Sequence, residues 1–88
     1  MARVTGIGGL FFRAADPAAT GDWYRTHLGI TQPDVAVWAQ EAGPTVFSPF
    51  SASTDYFAAD KQWMLNLRVD DLQGLIGQLR AAGVAVET

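Results

Sequence analysis

Two stretches of this chain are bracketed in the same way, and the bracketing limits what the chain can fold into. Thirteen positions separate Asp16 from Gly29, and thirteen separate Asp70 from Gly83. An Asp opens a helix well because its carboxylate accepts the N–H groups that the first turn leaves unpaired. A Gly closes one well because it takes the left-handed conformation at no steric cost. Pro17 strengthens the first bracket, since the N–H it lacks would have had no intrahelical partner. The spacing predicts a helix from about Pro17 to Leu28, with Trp23, Tyr24 and Leu28 as its apolar contacts. A second helix opens at Asp70 or Asp71 and ends at Gly83. Leu72, Leu75, Ile76 and Leu79 form its apolar stripe at i, i+3, i+4, i+7. With Asp70 as N-cap, Gln73 would complete a capping box. Gly74 and Gly77 each weaken this helix by roughly 1 kcal/mol relative to Ala, and they point to close packing against a neighbour.

Apolar segments precede both helices. Gly6 to Ala14 reads as one strand and Gln62 to Val69 as another. In the second, Leu65, Leu67 and Val69 alternate with Met64, Asn66 and Arg68, which places the two sets on opposite faces. In the first, Leu10, Phe12 and Ala14 oppose Gly9, Phe11 and Arg13. Val35–Ala39 and Thr45–Ser48 are further strand candidates, with Pro49 ending the latter. A short strand is expected near Ile30–Thr31, and another begins at Val84. Residues 51–60 read as a loop anchored by Tyr56 and Phe57. The two strand–helix units form a weak internal repeat offset by 54 positions, in which Ile30 matches Val84.

Composition removes several function classes. The chain has 88 residues, 49% hydrophobic and 17% charged, with net charge −3. Its six basic residues are scattered, so nothing neutralises phosphates in series, and nucleic-acid binding is not expected. Without cysteine there is no disulfide, thiolate metal site or cysteine nucleophile. No apolar run reaches membrane-spanning length and no signal-peptide core opens the chain, so no membrane partner and a cytoplasmic location are expected.

The run Leu10-Phe11-Phe12-Arg13-Ala14-Ala15-Asp16-Pro17, followed by Trp23-Tyr24-Arg25-Thr26-His27-Leu28-Gly29-Ile30, resembles the first strand and helix of the glyoxalase/bleomycin-resistance/extradiol-dioxygenase (vicinal oxygen chelate) superfamily. Asn66 to Leu72 and Gln78 to Val84 resemble its second module, and Ser48-Pro49-Phe50 with Asp55-Tyr56-Phe57 resembles its inter-module region. The resemblance implies an α+β fold of βαβββ modules, with a curved mixed sheet and helices on its convex face. It implies one domain over 1–88, with residues 1–50 as the first module, 51–61 as the loop and 62–88 as an incomplete second module. An incomplete module leaves strand edges unpaired, so a homodimer or higher self-assembly is expected.

The superfamily's enzymes hold a divalent metal with His and Glu on the concave strands. The positions this resemblance assigns to ligands hold Gly6-Ile7-Gly8-Gly9, Trp63-Met64-Leu65 and Thr45 to Phe50. Gly and Met do not replace imidazole or carboxylate around such a cation. No cofactor is therefore expected, unless ligands come from missing strands or a partner chain.

The resulting expectation is metal-free binding of a small, partly aromatic molecule on the concave sheet face. Phe11, Trp38, Phe47, Tyr56, Phe57 and Trp63 read mostly as core; of these Phe11 and Trp38 lead the pocket candidates, joined by Met64, with Arg13, Asn66 and Arg68 as polar orienting groups, the other reading of Arg13 and Arg68 being rim residues with no ligand. Two alternatives stand beside it: a metal-dependent lyase, isomerase or dioxygenase, and a self-associating module without catalysis. Whether the chain is an enzyme stays open, and no catalytic residue is assigned. His27, the one histidine, fits the dipole of the last helical turn better than acid/base work. Asp70, Asp71 and Asp16 read as caps. Gly6 to Gly9 precedes a strand rather than a helix, which removes the phosphate-loop reading. Ser48, Ser51 and Ser53 have no nucleophile setting around them.

Overall fold

A computed structural model describes residues 1–30 and 37–88. They fall into two units, Met1–Ala39 and Gln40–Thr88. Each unit holds one helix: α1, Pro17–Leu28, in the first, and α2, Leu72–Ala81, in the second.

Both helices begin and end where their brackets place them. Asp16 is the N-cap of α1, and its Oδ1 accepts the Ala19 N–H at 3.2 Å. At the other end Gly29 has φ 67°, and its N–H bonds to the Arg25 carbonyl at 3.1 Å. Ile30 then reaches back to the Tyr24 carbonyl at 3.3 Å. These bonds satisfy carbonyls that a helix end leaves unpaired. In α2 the cap is Asp71, whose Oδ1 accepts the Gly74 N–H at 2.9 Å. The third helical position is therefore Gly74, and the Asp70–Gln73 capping box does not form. Gly83 has φ 83°, and Val84 bonds back to the Leu79 carbonyl at 2.9 Å. The matched residues Ile30 and Val84 thus do the same job after each helix.

The sheet is the correction. No strand occurs among the described residues, so the α+β fold of βαβββ modules, with its curved mixed sheet and convex-face helices, does not stand. Gly6–Ala14, Gln62–Val69, Thr45–Ser48 and the segment after Val84 are extended or irregular without a ladder. So are Ile30 and Val37–Ala39, while Thr31, Val35 and Ala36 lie outside the described residues. The physical reason is in the hydrogen bonds. Outside the helices, every backbone pair among the described residues is local, the widest being Ile30 to Tyr24. A strand needs a partner far along the chain, and closing that loop costs entropy that local helix bonds do not incur. The apolar alternation is present, but its side chains stand in solvent: Phe11 is 93% exposed and Val46 89%.

Among the described residues none is buried. The most shielded positions include Leu75, Ile76 and Leu79 of α2 and Tyr24, His27 and Leu28 of α1, all half-buried. The 51–60 loop is built as its sequence requires. Ser51 and Ser53 hydroxyls meet at 3.0 Å, and Thr54 N–H bonds to the Ser51 carbonyl at 3.0 Å. Phe50 packs against Tyr56 and Phe57, each at 5.7 Å between ring centres. Among the described residues no helix is long and apolar enough to cross a membrane.

Gly77 carries a prediction. A Cβ built there meets nothing within 4 Å, so the close packing expected at this glycine is absent. Gly77→Ala is expected to stabilise α2 by about 1 kcal/mol, the propensity difference alone. Far-ultraviolet circular dichroism would show a rise in helix content, and an unchanged or lower signal would mean that something does pack on that position.

Candidate functional site

The residues singled out on the concave face are divided between the two units. Phe11, Arg13 and Trp38 belong to the first; Met64, Asn66 and Arg68 belong to the second. All six are exposed, and the concave sheet face meant to gather them is not formed. Within each unit, no hydrogen bond or ring pairing among the described residues joins any two of them. Phe11 folds back over Gly9, where a Cβ would lie 2.8 Å from the ring. Arg68 donates Nη2–H to the Glu41 carbonyl at 3.0 Å, and its guanidinium fills the space a Cβ on Gly43 would need.

A different set of residues comes together on α1. Ala19, Thr20, Trp23 and Tyr24 line an open depression of about 450 Å³. Their spacing of i, i+1, i+4 and i+5 puts them on one side of a helix. Ala19 and Thr20 are small, so they form the floor; Trp23 and Tyr24 stand one turn further on as its wall. The rings brace one another. Trp23 meets Tyr24 edge-on at 5.2 Å and 78°, and His27 leans on Trp23 at 5.0 Å and 51°. Phe12 meets Tyr24 at 6.3 Å and 70°. Edge-to-face contacts of this kind match the positive rim of one ring to the negative face of another.

The charges beside this face are mostly engaged. Arg25 pairs with Asp22 at 2.8 Å, three residues apart on the helix, and Asp16 is committed to capping. What remains open is aromatic surface, with Trp23 39% exposed, on a face that Thr20 and Tyr24, both hydroxyl-bearing, also line. Such a surface can stack a flat ring and hydrogen-bond a polar arm. No group of three His, Asp or Glu side chains that could hold a metal occurs among the described residues. The sequence reading had assigned Trp23 and Tyr24 to packing. The signal it passed over was the pair of small residues one turn before the aromatic pair. Comparison of the chain with protein-family models, curated proteins and solved structures gives no match.

Proposed function

We propose that this protein binds a small, partly aromatic molecule without help from a metal, and that the aromatic face of α1 is the binding surface. The observation that carries this reading is the braced set of Phe12, Trp23, Tyr24 and His27 beside the depression over Ala19 and Thr20. The residues Trp23-Tyr24 and Leu28-Gly29 of this helix also carry the resemblance to the superfamily that includes bleomycin-resistance proteins, and that likeness supports the reading. So does the residue chemistry at the positions that likeness gives to metal ligands, which hold Gly and Met.

An open face covers one side of a ring, so affinity is modest. A flat probe of about ten heavy atoms, at roughly 0.4 kcal/mol per atom, gives a dissociation constant on the order of 1 mM. The test is a titration of the isotope-labelled protein with 2-naphthol, following the three tryptophan indole N–H signals. The Trp23 signal is expected to move along a saturating curve, with the Trp38 and Trp63 signals nearly still. Saturable shifts confined to Trp38 would move the site to the Phe11–Trp38 set. Linear, unsaturable shifts at all three indoles would remove the binding reading.

A further inference from the structure

The face of α1 that carries the depression also carries the chain's one histidine. A helix turns about 100° per residue, so Ala19, Thr20, Trp23 and Tyr24 share an arc of about 140°, and His27 falls near its middle. The imidazole leans on the Trp23 indole at 5.0 Å between ring centres, and His27 is half-buried. Asp22 and Arg25 fall outside the arc and hold each other at 2.8 Å. We propose that His27 selects the charge of the ligand at this face. Protonated, it favours a flat aromatic carboxylate; as pH rises through neutrality, that preference is lost. This selection rests on α1 being the binding surface.

Imidazole is the side chain whose charge ordinarily changes between about pH 5 and pH 8. Across that range guanidinium groups stay cationic and ordinary carboxylates anionic, so Asp16, Asp22 and Arg25 give a constant background. Asp16 caps the opposite end of α1, eleven residues from His27. That is about 16 Å along the axis, beyond the roughly 10 Å over which exposed charges act at 0.1 M salt. The N-terminal segment meets α1 through Phe12 and Tyr24. It brings Arg3 and Arg13, which do not titrate here, and the Met1 amine, a group that ordinarily begins to lose charge just below pH 8. Asp34 lies outside the described residues.

The two protonation states present different fields to the ligand. With a neutral imidazole, the carbonyl end of α1 disfavours an anion, although Gly29 and Ile30 N–H groups already occupy the Arg25 and Tyr24 carbonyls. With an imidazolium, a full positive charge stands against the indole on which the ligand stacks. A carboxylate on the rim of that ligand comes within about 6 Å of it. Opposite unit charges about 6 Å apart, in the high dielectric of an open face, change affinity about threefold. A neutral ring of the same size gains nothing from this term.

The test titrates the full chain with 2-naphthoate, an anion, and with 2-naphthol, which stays neutral. Both are run at about pH 5.5 and about pH 7.5, which bracket an ordinary imidazole, and followed at the Trp23 indole N–H. The 2-naphthoate is expected to bind about threefold more tightly at the lower pH, with 2-naphthol affinity nearly constant. In His27→Gln the 2-naphthoate affinity is expected to be the same at both pH values. That variant keeps the Met1 amine and Asp34, so the difference between the two proteins isolates the imidazole. In the ligand-free protein the Trp23 indole signal is expected to move with pH at the midpoint of the His27 ring signals. Saturation by 2-naphthol at Trp23, with a 2-naphthoate affinity indifferent to pH, would overturn the selection and leave α1 as the binding surface. An equal rise for both probes at low pH would show that the imidazolium only firms the last helical turn, and would overturn it too. So would a 2-naphthoate pH dependence that persists in His27→Gln. Failure of both probes to saturate would remove the binding surface and the selection together.

Discussion

Replacing Trp23 by Ala is expected to weaken 2-naphthol binding by at least about tenfold, the largest effect of any single substitution at α1. The indole is the broadest ring on that face, and it touches both Tyr24 at 5.2 Å and His27 at 5.0 Å. Its loss removes the main stacking partner and leaves the other two rings unbraced. Stacking on an aromatic ring contributes about 0.5–1.5 kcal/mol beyond the area it covers, and about 1.4 kcal/mol is tenfold in affinity. The variant separates binding from folding well. Trp23 is exposed and lies inside the helix, away from both caps, and Ala is the better helix former. Circular dichroism should therefore show helix content kept or raised while binding falls. Phe11→Ala and Trp38→Ala serve as the comparison. If either of those weakens binding and Trp23→Ala does not, the ligand sits with the residues of the N-terminal segment.

The parts of the fold that the sequence revealed are those whose causes are local. Asp16, Pro17 and Gly29 act within the helix they delimit, so their roles follow from the residues and their spacing. The same holds for Gly83 and for a cap at Asp70 or Asp71, between which the sequence does not choose, and for Tyr56 and Phe57 as anchors of a short loop, where they pack on Phe50. The sheet was different. Alternation such as Leu65, Leu67 and Val69 against Met64, Asn66 and Arg68 describes which side chains would share a face. It says nothing about whether another strand lies alongside, and that partner is what makes a strand. Placing Phe11, Arg13, Trp38, Met64, Asn66 and Arg68 together depended on that missing ladder. The aromatic face of α1 depends on helical spacing alone. It is therefore open to a sequence reading, in which Trp23 and Tyr24 stand only as apolar contacts of the helix.

Asp71→Ala is expected to destabilise α2 by about 1–2 kcal/mol, and Asp70→Ala is expected to leave it nearly unchanged. The two acids are adjacent, and only the geometry separates their roles. Asp71 has the extended backbone of a cap residue, with φ −147° and ψ 94°, and its carboxylate accepts the Gly74 N–H at 2.9 Å. The corresponding bond in α1, from Ala19 to Asp16, is longer at 3.2 Å. The difference lies in the third helical residue. A Cβ on Gly74 would stand 2.8 Å from the Asp71 carboxyl carbon, so glycine lets that carboxylate fold closely over the helix end. Gly74→Ala therefore gains helix propensity and at the same time pushes the cap outward. Its net stabilisation should be smaller than that of Gly77→Ala, where the added methyl meets open space. A loss of 1–2 kcal/mol is a factor of about 5–30 in the helical population, which amide hydrogen exchange at Gly74 and Leu75 would report. Faster exchange in Asp70→Ala than in Asp71→Ala would place the cap one residue earlier. That outcome would restore the Asp70–Gln73 box as the start of the helix.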